Sequence, residues 1–299
     1  MAASSEPPKQ NPGPVVDYQA THAFSEKAMG PFADRLILLS KIEEVAEDDE
    51  LRVLDLMTGS GIVVFHLQHK LRMHKANELS VIASDISDPM LLALNKCFDA
   101  DRHTWSNFTT QRIDAQDTKL PDSSLTHIFC NFGPAQVPQP HTVFEECLRM
   151  LKPGGAFTFS IWQGPGWTPE VREAVAHLRS KDPNIPTWPS HEEFRTTFMP
   201  GQWHEQEYIE TELEKLGFVD VKVESAQGIT KFTPDEFRKV FPMSIGMVVG
   251  RMWSPEQREK YISKVYDGVA EYLNDKYGHD GTMVWDDWRA LVVLGRKPK

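Results

Sequence analysis

Long apolar runs are missing from this chain. No stretch approaches the ~18 consecutive apolar residues of a membrane span, and Met1–Pro14, rich in proline, serine and alanine, lacks the apolar core of a signal peptide. A cytoplasmic protein is expected, for which the Asn107-Phe108-Thr109 sequon has no meaning. Cysteine is scarce as well. Cys97, Cys130 and Cys147 fall in expected helix or strand interiors without metal-ligand spacing, and their odd number argues against a disulfide framework. Basic residues are outnumbered, 32 against 43 acidic ones, which leaves a formal charge of -11 with no run of Lys and Arg. Such a surface repels phosphate backbones, so the expected partner is a small molecule rather than nucleic acid or a membrane. The oligomeric state stays open.

What the chain does have is 299 residues with 40% hydrophobic side chains, enough for one large α/β domain. Its most telling stretch is Leu51-Arg-Val-Leu-Asp-Leu-Met-Thr-Gly-Ser-Gly61, an apolar run containing an acid, which leads into a glycine turn and the helical pattern of residues 62–71. Leu51, Val53, Leu54 and Leu56 suit a strand buried on both faces, and Gly59 and Gly61 permit a tight turn and close approach of backbone to a ligand. A nucleoside site at the first strand-to-helix turn follows. A dinucleotide fingerprint would need a third glycine where Val64 stands and an earlier acid than Asp85, so a nicotinamide or flavin cofactor is disfavoured.

Val53-Leu-Asp-Leu-Met-Thr-Gly-Ser-Gly61 instead resembles motif I of class I S-adenosylmethionine-dependent methyltransferases, V-L-D-x-G-x-G-x-G, with Met57 in place of the first glycine. The resemblance continues in order. Ser80-Val-Ile-Ala-Ser-Asp85 followed by Ile86-Ser-Asp-Pro-Met90 resembles the second-strand motif, Arg112-Ile-Asp-Ala-Gln116 the end of the third strand, Leu125–Phe132 the fourth strand, and Leu148-Arg-Met-Leu-Lys-Pro-Gly-Gly155 the turn before the fifth. Any one segment could be an ordinary strand end or loop; five in order carry the argument. The resemblance implies S-adenosylmethionine as cofactor, with Asp55, Thr58, Gly59 and Gly61 at the turn. It implies that Asp85 accepts from both ribose hydroxyls, that Ile86 and Met90 flank the adenine, that Asp114 and Ala115 meet the adenine edge, and that Asn131 contacts cofactor or loop backbone.

The implied fold is a doubly wound, Rossmann-like sheet of seven strands with the last antiparallel. Strands are expected near 51–57, 80–85, 107–113, 124–131, 155–162, 217–223 and 290–295. Residues 1–16 read as a disordered tail and 17–45 as a helical cap over the cofactor, broken at Gly30-Pro31. The domain proper is 46–299, with helical insertions at about 164–202 and 228–281. Thr168-Pro-Glu170, Ser190-His-Glu-Glu193, Thr233-Pro-Asp-Glu236 and Ser254-Pro-Glu-Gln257 mark helix starts. Ile262, Val265, Tyr266, Val269 and Leu273 form one apolar face, expected to pack on the sheet or cap.

Trp162, Trp167, Trp188 and Trp203 cluster in or beside the first insertion, beyond the expected carboxyl end of the fifth strand, where such folds bind ligands. Aromatic walls suit a flat or apolar small molecule. Phe24, Phe132, Trp162 and Trp167 are the expected substrate contacts. A general base is needed only for an acceptor that is not already nucleophilic; His22, His141, His191 and His204 are within plausible reach, and the sequence assigns the role to none. No metal is expected, since Asn131-Phe132-Gly133 lacks the paired acids of the metal-dependent catechol pattern. At family level the chain resembles the small-molecule methyltransferases of microbial and fungal secondary metabolism. The alternative is a methyltransferase-like regulator working through protein contacts, with Met57 as its support; turnover of any acceptor separates the two.

Overall fold

A computed structural model describes residues 17–46, 49–71, 78–199 and 201–299. The expected tail, 1–16, lies outside the described residues. Seven strands, β1 (Glu50–Leu56), β2 (Glu78–Asp85), β3 (Phe108–Arg112), β4 (Leu125–Asn131), β5 (Leu151–Gly164), β6 (Val219–Phe232) and β7 (Met283–Arg296), form one sheet in the order β3-β2-β1-β4-β5-β7-β6. β1 to β5 run parallel, and β7 lies antiparallel to both β5 and β6. The strand order reverses between β1 and β4, which opens a crevice at their carboxyl ends.

Residues 156–162 of β5 are all buried, so helices cover both faces of the sheet. Alternation says which helix covers which face. Phe144 on α4 (Pro140–Met150) packs on Phe157 and Phe159, while Phe32 on α1 (Tyr18–Ser40) packs on Trp162, which points the opposite way. α1 and α2 (Ile62–Leu71) pack together, and α7 (Gln206–Leu216) joins α4.

One sequence expectation fails in α1. It runs unbroken through Gly30-Pro31, because Pro31 sits on the exposed side, where water can satisfy the carbonyl one turn back that proline leaves without a donor. Phe24, Ala28, Phe32 and Leu36 of α1 are buried, and its first turns reach the glycine turn.

The first insertion holds α5 (Thr168–Lys181) and α6 (His191–Phe198); the second holds α8 (Pro234–Arg238), α9 (Phe241–Met252) and α10 (Pro255–Tyr277). The capping boxes at Thr233 and Ser254 form as the sequence predicts, and the cap expected at Ser190 closes a box with Glu193 as well. Thr168 is the first helical residue of α5 rather than its cap, with Trp167 preceding it and making no side-chain cap. β6 and β7 each reach 14 residues, so the second insertion becomes helical only after Phe232.

The apolar face of α10 does not pack on the sheet or cap as expected. It packs on α5, closely enough that a Cβ on Gly268 would fall 2.3 Å from Leu178 Cδ2. Lys276 pairs with Glu170 at 2.9 Å and Lys264 with Asp182 at 2.6 Å across the same seam. The two insertions are therefore one helical body.

Candidate active site

The carboxyl ends of β1, β2 and β3 stand side by side. The backbone N–H of Thr58 donates to Ser84 O at 2.8 Å, and that of Ile113 to Asp85 O at 3.1 Å. Between β1 and α2 the chain turns through three left-handed residues, Met57 (φ 60), Gly59 (φ 53) and Gly61 (φ 85). A side chain in that region normally costs about 1–2 kcal/mol, which is why glycine suits the first position. Met57 holds the turn nonetheless, and the turn is not widened. Its side chain fits because residue 133 is glycine: a Cβ there would lie 2.8 Å from Met57 Sδ and 2.7 Å from Cys130 Sγ.

The two glycines of the turn do different work. A Cβ on Gly59 would meet nothing within 4 Å, so its backbone faces open space that a ligand can enter. On Gly61 a Cβ would press to 2.8 Å from Leu94 Cδ1, so that glycine lets α2 approach α3 (Asp88–Ala100).

Asp85 is half-buried. Its Oδ2 accepts from the Gly59 N–H at 2.8 Å and its Oδ1 from the Ser87 N–H at 2.9 Å. Each oxygen keeps a second lone pair for a ligand hydroxyl. Beside it Ile86 is 57% exposed, Met90 is half-buried, and Asp114 is exposed with Oδ1 taking the Gln116 N–H at 2.9 Å; Ala115 is buried. Open backbone, a two-armed acceptor and an exposed apolar shelf fit the ribose and adenine of S-adenosylmethionine.

Asp55 and Thr58 do not share that exposure. Asp55 is 1% exposed and braces the turn from beneath, accepting from Thr58 Oγ1. Burial pushes its carboxyl up to about 7; the Thr58 hydrogen bond opposes this and the charge of Asp85 adds to it. From α1, Tyr18 Oη donates to Ser60 O at 2.9 Å, and His22 Nδ1 lies 2.9 Å from the same oxygen.

The ends of β4 and β5 are different in kind. Asn131 and Phe132 at the end of β4, and Trp162 and Pro165 at the end of β5, open into a cavity of about 230 Å³. α1 adds Phe24 and Met29, β7 adds Trp288, and the first insertion adds Trp167 and the α6 residues Phe194 and Phe198. The second insertion closes it with Met243, Ser244 and Met247 on α9. Phe132 takes φ 62, and its ring stacks on Trp162 with centroids 3.4 Å apart. Ser160 Oγ accepts the Phe132 N–H at 2.9 Å and donates to Asn131 Oδ1 at 2.6 Å, which leaves the Asn131 amide nitrogen without a protein partner among the described residues.

All four residues expected at the substrate, Phe24, Phe132, Trp162 and Trp167, thus meet in one cavity with Asn131. Trp188 and Trp203 do not reach it: Trp188 packs on Trp167, and Trp203 fills a core with Phe144 and His141. Of the four histidines none lines the cavity. His22 is on Ser60 O, His141 is 2.9 Å from Glu212, His204 is beside Arg195, and His191 opens α6. The α9 methionines went unread, although their i, i+4 spacing on an apolar helix was there to see. A larger cavity, about 440 Å³, lies at the amino ends of β1 and β4, away from the crevice where this fold holds ligands.

Residues 53–155, from β1 into β5, match the methyltransferase domain family. Two relatives span nearly the whole chain. The acetylaranotin bis-thiomethyltransferase of Aspergillus terreus is 29% identical over 94% of this chain and 95% of its own length. Methyltransferase tpcH of Aspergillus fumigatus is 26% identical over 93% and 95%. Among solved structures, the YcgJ protein of Bacillus subtilis superposes with TM-score 0.52 at 15% identity, covering 89% of this chain and 99% of that one. The [4+2]-cyclase SpnF gives 0.51 at 16%, covering 97% and 86%. Both share the fold, and the cyclase shows that the fold alone does not name a reaction. With the domain match and full-length methyltransferase relatives beside it, the chain is an enzyme, a methyltransferase whose donor is S-adenosylmethionine.

Proposed function

We propose that this methyltransferase acts on a small, largely apolar or aromatic acceptor of secondary metabolism, held in the cavity at the ends of β4 and β5. One observation carries the reading: the cavity at the ends of β4 and β5 is walled mostly by aromatic and apolar side chains, which enclose about 230 Å³. The donor site is assigned to the neighbouring strand ends. Asp85 takes the ribose hydroxyls, Gly59 presents bare backbone, Ile86 and Met90 flank the adenine, and Asp114 with Ala115 meets its edge. Asp55 and Thr58 keep the turn in shape.

When bound, S-adenosylmethionine supplies a methyl carbon already made electrophilic by the sulfonium. The chain's task is then geometric. The stacked Phe132 and Trp162 rings fix one wall, Asn131 offers a polar contact at the end of β4, and the joined insertions keep water from the reacting atoms. The Aspergillus terreus relative, by its name a bis-thiomethyltransferase of acetylaranotin, supports a small-molecule acceptor.

The test separates the two halves of the site. S-adenosylhomocysteine in excess raises the unfolding temperature, because a ligand of the native state stabilises it by mass action. Trp162→Ala and Trp167→Ala then lower turnover of a small acceptor far more than they weaken that binding. Robust methylation of tRNA or of a protein by the purified chain would sink the reading.

A further inference from the structure

The cavity is notable for what its walls cannot do. Among the described residues they carry no carboxyl, imidazole, amine, guanidine, thiol or phenol; their polar side chains are Asn131, Gln136 and Ser244. Charged groups on the surrounding elements are engaged elsewhere. On α1, Lys27 pairs with Glu236 at 2.6 Å and Glu26 with His66 at 3.1 Å. On α6, Arg195 pairs with Glu192; on α9, the Arg251 guanidinium lies 4.8 Å from the centroid of the Phe198 ring; on β7, Arg289 pairs with Asp287 at 2.8 Å. Asp55 sits beneath the glycine turn, engaged by Thr58, and Asp85 is engaged by Gly59 and Ser87. Among the described residues no group is placed to take a proton from an acceptor inside the cavity.

The geometry points to an acceptor that loses its own proton to solvent before transfer, a thiol or acidic hydroxyl on an apolar or aromatic body, which meets the methyl group as an anion steadied by the Asn131 amide N–H. This rests on the function proposed above and narrows its substrate class. Two features favour it. First, Ser160 is buried and has a single hydroxyl proton, which it gives to Asn131 Oδ1 while accepting from Phe132 N–H; the Asn131 amide is thereby locked with its donor side free. Second, an anion and a sulfonium cancel their charges as they react. The acceptor's lone pair forms the bond to carbon, the carbon–sulfur pair stays on sulfur, and two neutral products remain. An apolar cavity strengthens the attraction between the two opposite charges and is at ease with the uncharged products. An amine would instead leave a cation in a cavity without a carboxylate.

The experiment uses the full chain with S-adenosylmethionine and three probes of similar shape: 4-nitrothiophenol, 4-nitrophenol and benzyl alcohol. The first two ionise at different pH, the thiol well below neutrality and the phenol near it, and the third does not ionise in water. The expected result is methylation of both acidic probes, each with a pH midpoint that follows the probe's own ionisation, and turnover of benzyl alcohol at least ~100-fold slower, the low end of what a general base supplies. Equal turnover of the alcohol, or one shared pH midpoint for the acidic probes, overturns the inference, as does turnover of neither acidic probe. A second readout needs no turnover. The visible absorbance of 4-nitrophenol bound beside S-adenosylhomocysteine reports its ionisation, and Asn131→Leu raises the bound probe's midpoint by about one pH unit. An unmoved midpoint removes Asn131 from the role. Failure of S-adenosylhomocysteine to bind the wild-type chain would be a different failure, that of the donor site itself.

Discussion

The two halves of the crevice are built by opposite means. At β1 to β3 the site is backbone: a left-handed turn, two N–H groups held by Asp85, and a bare glycine facing open space. At β4 and β5 it is side chain: rings and thioethers from two strand ends, α1, β7 and both insertions. A backbone site depends on a few local residues and tolerates little change, whereas a side-chain cavity can alter its contents while the sheet stays the same.

The sharpest way to break that division is Trp162→Ala. Deleting a buried ring stacked on Phe132 is expected to cost about 3–5 kcal/mol of stability and to abolish acceptor turnover, while the folded fraction still binds S-adenosylhomocysteine. Denaturant unfolding and calorimetry read the two effects separately. Asp85→Ala is the converse. It weakens S-adenosylhomocysteine by on the order of 2–3 kcal/mol, as loss of charge-assisted hydrogen bonds should, and unaltered affinity would show that the donor site lies elsewhere.

Met57→Ile sharpens the comparison at the turn. A β-branched residue at φ 60 is expected to cost about 1–2 kcal/mol and to loosen donor binding, visible as a smaller ligand-induced rise in unfolding temperature. The most gradual effect is a pH slope. Because the folded chain holds the Asp55 proton up to about pH 7 and the unfolded chain releases it near the ordinary carboxylate range, the folded state binds more protons in between. Asp55 therefore makes stability fall as pH rises between those values, by at most about 1.4 kcal/mol per pH unit. Asp55→Asn flattens that part of the profile, and an unchanged slope would mean that the carboxyl is ionised in its buried place.

The same division explains what the sequence could tell. The half at β1 to β3 was legible as structure because turn glycines and strand-end acids act within a few residues of themselves: Gly59 lies in the turn and Asp85 at the end of β2, as expected. The acceptor half was legible only in part. Phe24, Phe132, Trp162 and Trp167 were named from their place in the fold, but nothing local separates Trp167 from Trp203, which is buried in another core. Met243 and Met247 were missed because their role depends on the path of α9 across the crevice. Pro31 misled because helix-breaking was judged without knowing which side of α1 faces water. The length of β6 and β7 came from pairing with each other, a signal absent from either strand alone.

The seam at Gly268 and Leu178 has a consequence for how this enzyme could acquire a new acceptor. α5 ends at Lys181 and α10 begins only at Pro255, yet neither can be exchanged alone, since a bulkier residue at 268 or a differently shaped one at 178 breaks the fit. Grafting a relative's first insertion onto this sheet would bring foreign walls and leave them without their support. Acceptor preference is thus heritable only as a matched pair of segments, and recombination between them is expected to yield misassembled lids more often than new specificities.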